Sequence, residues 1–266
     1  MRTLPIAIAA LAALAMYPAL AQETRQERGK RVVEEALAAL GGPAFLHMED
    51  RIVSGRAYSF YRTQISGLSV ATIYTRYITP APGKLGLRER QAFGKKQEEG
   101  YVLFTEEGGW DVSFRGARPI AEDTYNNFKE STERSIFYIL RQRLNERGLI
   151  FYFEGTDIFL NEPVQVVDIT DATGFTVTVS FSQFTRLPVR QSYRRRNPTY
   201  HDFDTEVALY TKYRAVDGIT WPYDVHRERN GDKVFELFAD SVEMNKDLKD
   251  DLFTLPAKLK ILPKVP

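Results

Sequence analysis

Two dipeptides near the C-terminal end, Asp217-Gly218 and Asn230-Gly231, constrain this chain more than any other feature. Asn-Gly and Asp-Gly readily supply the positive φ angles of tight hairpin turns, so the strands they join are antiparallel neighbours. They separate strand-like runs over 205–215, 219–229 and 234–244, and the stretch closes on Asn245 with Phe253 and Pro256 downstream. This meander from Tyr210 to Pro256 holds no nucleophile, metal-ligand set or phosphate loop. It fixes a shape, and any function must come from that shape.

At the other end, Arg2 precedes an apolar run from Leu4 to Leu20 that finishes in Ala19-Leu20-Ala21, before the polar Gln22-Glu23-Thr24-Arg25. A basic start, an apolar core and an A-x-A site predict a secretory signal peptide over 1–21, cleaved after Ala21; the run is too short and Ala-rich to favour a permanent membrane span. The chain has no cysteine, which excludes disulfides, thiol chemistry and a lipidated N-terminal Cys. A secreted domain without disulfides needs a substantial core, and residues 22–266 are enough to build one. With no internal repeat, Ser/Gly linker or low-complexity tract, they read as a single domain.

Without Arg2 the sequence carries 35 basic and 35 acidic residues, so no overall field attracts nucleic acid or an anionic membrane. Arg194-Arg195-Arg196 is the one dense basic run. It fits a phosphate or lipid headgroup, but a charge-guarded strand end before Asn197-Pro198 explains it more simply.

Residues 24–40 place Val32, Val33, Ala36, Leu37 and Leu40 on one side at helical spacing, and Gly41-Gly42-Pro43 ends the run. From Arg51 onward the period changes to two. Runs over 51–61, 68–79, 84–91, 101–105 and 110–114 read as antiparallel strands. Residues 123–147 interrupt them with Tyr125, Phe128, Ile136, Phe137, Leu140 and Leu144 between charges, which predicts one helix of several turns ending at Gly148. Strands resume over 149–154, 164–170, 175–181, 187–195 and the C-terminal meander. Phe175, Val177, Val179 and Phe181 alternate with Thr176, Thr178, Ser180 and Ser182, so one face should meet an apolar interior and the other water. About ten to twelve strands tend to curl or split. The predicted class is α+β, mainly β: a strongly curved antiparallel half-barrel whose concave face is covered by the N-terminal and central helices. A two-sheet sandwich would have no need of the central helix.

Catalytic signatures are missing. His47, His201 and His226 share no motif, and there is no His-Glu-x-x-His pair, Gly-x-Ser-x-Gly elbow or Gly-rich phosphate loop. Glu106-Glu107 beside Gly108-Gly109 reads as a solvated turn, Asp240 stands alone, and His201 with Asp202 and Asp204 offers too few ligands for a metal site. His226, between Val225 and Arg227, reads as a solvent-face residue. No catalytic residue, metal or cofactor is expected. The many Tyr and Phe residues either fill the core or line an incompletely filled one, and the pattern alone leaves both open.

The segments Tyr213, Val216-Asp217-Gly218-Ile219, Trp221-Pro222, Asn230-Gly231, Val242, Asn245 and Leu252-Phe253-x-x-Pro256 resemble the closing hairpins of the outer-membrane lipoprotein-sorting (LolA/LolB-like) superfamily. Ala38-Ala39-Leu40-Gly41-Gly42, Ile52-x-x-x-Gly55-Arg56 and Gly109-Trp110 extend the resemblance over most of the chain. It implies a helix-lidded half-barrel that carries lipoprotein acyl chains or other lipids through the periplasm. The arginine that latches the lid in some relatives matches Arg51 or Arg56 equally, so that role is not transferred.

The expectation is a periplasmic carrier or sensor whose partner is a lipid or acylated protein, with a cell-envelope protein as a second candidate partner. Its apolar lining would comprise Phe128, Phe137 and Leu140 on the helix and Val177, Val179, Phe181, Leu209 and Tyr213 on the sheet. The alternatives are a non-catalytic envelope interaction module with a filled core and, more remotely, a hydrolase built on converging carboxylates.

Overall fold

A computed structural model describes residues 23–62, 64–94, 100–197 and 199–264. The expected signal peptide lies outside them. The described chain is built round one open antiparallel sheet of thirteen strands. In chain order these are β1 (Asp50–Tyr61), β2 (Gln64–Tyr77), β3 (Leu87–Phe93), β4 (Gly100–Thr105), β5 (Gly108–Ser113) and β6 (Gly116–Pro119). After the central helical segment come β7 (Ile150–Phe159), β8 (Glu162–Thr170), β9 (Thr176–Ser182), β10 (Pro188–Arg196), β11 (Phe203–Val216), β12 (Ile219–Arg229) and β13 (Asp232–Met244). Two meanders, β6 to β1 and β7 to β13, meet where β1 pairs with β13, and the sheet does not close on itself. This is the curved half-barrel that the strand count predicts.

The Asp217-Gly218 and Asn230-Gly231 turns behave as their residues require. Asp217 and Gly218 have φ of 51° and 81°, and Asn230 and Gly231 have φ of 53° and 86°, the left-handed pair that a two-residue hairpin needs. β6 escaped the periodicity because it is four residues long and begins and ends in Gly116 and Pro119. The chain's tail shields its outer edge: Ala117 N–H donates to Lys260 O at 2.9 Å, and Leu262 N–H to Ala117 O at 2.8 Å. The tail reaches that edge across the convex face, where Phe253 packs with Ala92, Tyr101, Leu103 and Val112 in a small second core. Asp50 anchors its start, accepting from the N–H groups of Lys246 (2.7 Å) and Leu248 (2.9 Å).

Helix α1 (Arg25–Leu40) begins at a capping box in which Thr24 and Glu27 exchange hydrogen bonds, and it ends at Gly41 with φ 120°. It lies across the concave face of β7 and β8 with Val32, Val33, Ala36 and Leu40 buried. Gly29 permits this docking, because a Cβ there would come within 2.7 Å of Phe151 O. A one-turn helix α2 (Pro43–Leu46) follows and buries Phe45.

The central segment departs from expectation. In place of one helix over 123–147 there is α3 (Glu122–Glu133), a break at extended Ser135, then a turn α4 (Ile136–Tyr138) that continues as a π-helical turn over Ile139–Arg143. No Pro or Gly causes the break. The side chain of Gln191 on β10 enters the helical ladder: its Oε1 accepts from Ile136 N–H at 2.8 Å, and its Nε2 donates to Arg134 O at 3.3 Å. Beyond the break Ile136, Phe137, Tyr138, Ile139 and Leu140 are all buried, whereas α3 has no buried residue.

A second departure concerns β9. Thr176 and Thr178 face outward half-buried, but Ser180 and Ser182 are buried too. Ser180 is small and flanked across the sheet by Val166 and Arg190, and Ser182 Oγ is taken up by the N–H groups of Phe184 and Thr185 in the next turn.

Candidate functional site

The concave face is not uniformly filled. At its β7–β9 end α1 and the buried turn after Ser135 press onto Phe151, Phe153, Val167, Ile169, Val177, Val179 and Phe181, and the packing is solid. At its centre, under α3, a partly open recess of about 530 Å³ remains. Its floor is made by inward-facing residues of β1 (Val53, Ala57), β2 (Ala71, Ile73), β11 (Ala208, Tyr210), β12 (Tyr223, Val225) and β13 (Phe235, Leu237, Ala239). Small residues on β1 and β2 leave the space. A single large side chain at Ala57 or Ala71 would occupy it.

One wall is aromatic. Phe137 packs edge-on to Tyr210 (ring centroids 4.9 Å) and tilts onto Trp221 (4.7 Å), which stacks further on Phe45. Burial pushes the Tyr210 phenol above its ordinary pKa, with nearby Arg227 and a Ser135 hydrogen bond opposing the rise. The roof, α3, is more polar: it contributes Thr124, Asn127, Ser131 and Thr132 beside one aromatic, Phe128, whose ring stacks on Phe104 at 3.7 Å. α3 and the turn after it are tied to the 78–86 loop. Lys129 Nζ donates to Gly83 O at 2.5 Å, Gln142 Nε2 to Gly86 O at 2.6 Å, and Gly86 N–H to the Tyr138 hydroxyl at 2.8 Å.

Charges stand at the two ends. At the inner end Arg51 lies 4.3 Å over Trp221 and donates to Thr75 Oγ1 at 3.0 Å and the Tyr77 hydroxyl at 3.3 Å; Thr75 in turn donates to Glu89 at 3.2 Å. At the outer end Glu206 accepts from Arg229 at 2.7 Å and pairs with Arg195 at 3.0 Å, while Arg195 also donates to Asn127 at 2.7 Å. Burial, with Glu206 adding to it, raises the Tyr193 hydroxyl between them.

The residues expected to line an apolar cavity divide. Phe128 and Phe137 stand at the recess. Leu140, Val177, Val179 and Phe181 are buried at the filled end instead, in one core with the apolar face of α1 and the turn after Ser135. Leu209 pairs across the sheet with Arg190 and His226, one position out of phase with Ala208 and Tyr210, and so faces the convex side. Tyr213 packs against the solid core and donates its hydroxyl to Pro188 O at 2.6 Å. Missed by sequence reasoning were Ala57, Ala71 and Ala208, whose smallness makes the space, and Arg195, which alternation placed on the concave side while Arg194 lies over Phe203 on the other.

The polar candidates have structural partners. Asp204 accepts from Asn197 Nδ2 at 3.0 Å and Asn230 Nδ2 at 2.8 Å, which ties two hairpins together, and His201 sits exposed in a turn. Glu106 is ion-paired with Arg88, and His226 bonds Glu228 at 2.9 Å on the convex face. Among the described residues no group of three His, Asp or Glu is placed to hold a metal, and no helix is long and apolar enough to cross a membrane.

No family model matches the chain, and no curated protein does. Solved structures do. A DUF1329 family protein from Desulfovibrio piger superposes with a TM-score of 0.59 at 11% identity, over 87% of this chain and 98% of that one. A domain described as an outer membrane lipoprotein-sorting protein from Vibrio parahaemolyticus gives 0.57 at 11%, over 86% and 97%. A LolA superfamily protein from Nitrosomonas europaea gives 0.50 at 12%, over 85% and 97%. The fold is LolA-like. At such identities the likeness is one of fold alone. In this LolA-like half-barrel one end of the concave face is solid, and the recess is confined to the centre and to the edge nearest α3.

Proposed function

We propose that the chain is a non-catalytic carrier or sensor of an acyl-bearing ligand, a lipid or an acylated protein, that works in the periplasm after removal of residues 1–21. The observation that carries the reading is the recess of about 530 Å³ under α3, apolar on its floor and open at one side. That size lies within the range of about 300–1,000 Å³ usual for small-molecule sites. Each methylene moved from water into it contributes about 0.8 kcal/mol, so a single chain gives useful, reversible affinity. Phe128 and Phe137 would flank the ligand, over a floor of Ala57, Ile73, Tyr210 and Leu237.

Release needs α3 to move, and α3 is suited to moving because it buries no residue of its own and is held by the stack of Phe128 on Phe104 and by a few hydrogen bonds, from Tyr125 to Thr105 O, Lys129 to Gly83 O and Arg195 to Asn127. Two measurements test the reading. Mass spectrometry of material extracted from natively purified protein should find acyl ligands, and a fluorescent fatty acid should bind at one saturable site. Lipid-free protein that also ignores the probe rules the reading out and leaves an envelope interaction module.

A further inference from the structure

Along β12 the inward-facing residues run Trp221, Tyr223, Val225, Arg227 and Arg229. Successive members are about 7 Å apart, the two-residue repeat of a strand. The stripe therefore changes from aromatic to aliphatic to cationic over the length of the recess. The neighbouring strands grade in the same direction: Tyr210, Ala208 and Glu206 on β11 lie opposite Val225, Arg227 and Arg229, and on β10 Gln191 and Tyr193 lead to Arg195. The outer end thus gathers three guanidinium groups. Glu206 is shared by Arg195 and Arg229, and Asp204 beyond them is engaged by Asn197 and Asn230. Arg227 has no carboxylate within 4.0 Å among the described residues and sits 5.9 Å from the Phe235 ring, at the border of the apolar floor.

We propose that the recess selects an amphiphile with one anionic head, a carboxylate or a phosphate monoester, seated on Arg227 beside Arg195 and Arg229, with its acyl chain running along β12 towards Trp221. This rests on the reading of the recess as an acyl site and adds the head that the ligand must carry. A guanidinium binds either oxyanion through two parallel hydrogen bonds. Arg227 and Arg229 are exposed, so the head keeps part of its hydration and little desolvation opposes binding. Arg51, at the inner end, is a poorer seat: Thr75, Tyr77 and the Trp221 face already occupy it.

The test compares three ligands of one chain length, dodecanoate, dodecyl phosphate and dodecanol, by calorimetry on the chain from residue 22 onward. The anions should bind about ten-fold or more tighter than the alcohol, the size of one charge-assisted contact, and added salt should shrink the gap. Whichever anion binds tighter identifies the head. Arg227→Gln should bring the three ligands to within about three-fold of one another. Arg51→Gln should keep the preference. Equal binding of alcohol and anions by the unmodified protein overturns the inference while leaving the acyl site standing. So does a preference that survives Arg227→Gln and the double variant with Arg195→Gln, or one lost only in Arg51→Gln. Failure of all three ligands to bind overturns the acyl reading and the inference together.

Discussion

Gln191 Oε1 accepts the Ile136 N–H at 2.8 Å, and the same amide donates to Arg134 O, so one side chain from the sheet holds open the break in the central helix. The break frees the roof from the buried turn that follows it. Gln191→Ala leaves a buried donor and acceptor unpaired, and each such group costs about 1–3 kcal/mol. Urea denaturation should show a loss of about 2–4 kcal/mol. An unchanged midpoint would mean that the break does not depend on Gln191.

Gly29→Ala should destabilise the protein although it lies mid-helix, where the change normally gains about 1 kcal/mol. The added methyl would meet Phe151 O at 2.7 Å and push α1 off β7. A loss of about 1–3 kcal/mol is expected from overpacking, read as a lower thermal midpoint. The sign of the effect is the diagnostic.

The hairpins of the second meander could be read directly from Asp217-Gly218 and Asn230-Gly231, because a two-residue turn is a local event. The helix break could not, since it depends on a glutamine 55 residues away in sequence. Nor could the filled end of the concave face be told from the hollow centre. Val177, Val179 and Ala71, Ile73 share the same alternation; what separates them is where α1 docks, and Gly29 carries that information as an absent side chain. Alternation identifies the inward face, and only the placement of the helices decides whether that face is covered.

Ala57→Trp fills the recess from its floor. It should weaken binding of a fluorescent fatty acid by about ten-fold or more, an effect of about 1.4 kcal/mol. Circular dichroism should remain that of the unmodified protein, because the added ring takes up open space. Unaltered binding would place the ligand elsewhere.

Asn230 and then Asn197, by hydrogen bonding, hold the Asp204 carboxyl below its ordinary pKa. A depressed carboxylate stabilises the fold above the unfolded-state value of about 3.9, and this contribution disappears as pH falls through the lower folded value. The gap in thermal midpoint between the unmodified protein and Asp204→Asn should therefore narrow from about pH 6 to about pH 3. A gap that stays constant over that range would show the carboxylate charge to be irrelevant.

Removal of residues 259–266 takes away the backbone partners of Ala117 and uncovers the edge of β6. Uncovered edges template pairing with other chains. Light scattering after size exclusion should find dimers or larger species in the truncated protein and a lower fraction of them in the full chain.

β1 lies mid-sheet, with β2 on one side and β13 on the other, and Arg51 stands opposite Met244. The first strand made is thus completed by the last. A chain emerging N-terminus first, from a ribosome or a translocation channel, holds β1 half-paired until residues 232–244 arrive. The two meanders grow by neighbouring hairpins, but joining them is one long closure, the kind of step that slows folding most. β1 and β13 also supply Val53, Ala57, Leu237 and Ala239 to the recess floor. Before that closure the recess has no complete floor, so on the proposed reading an acyl ligand can load only after residues 232–244 have joined the sheet.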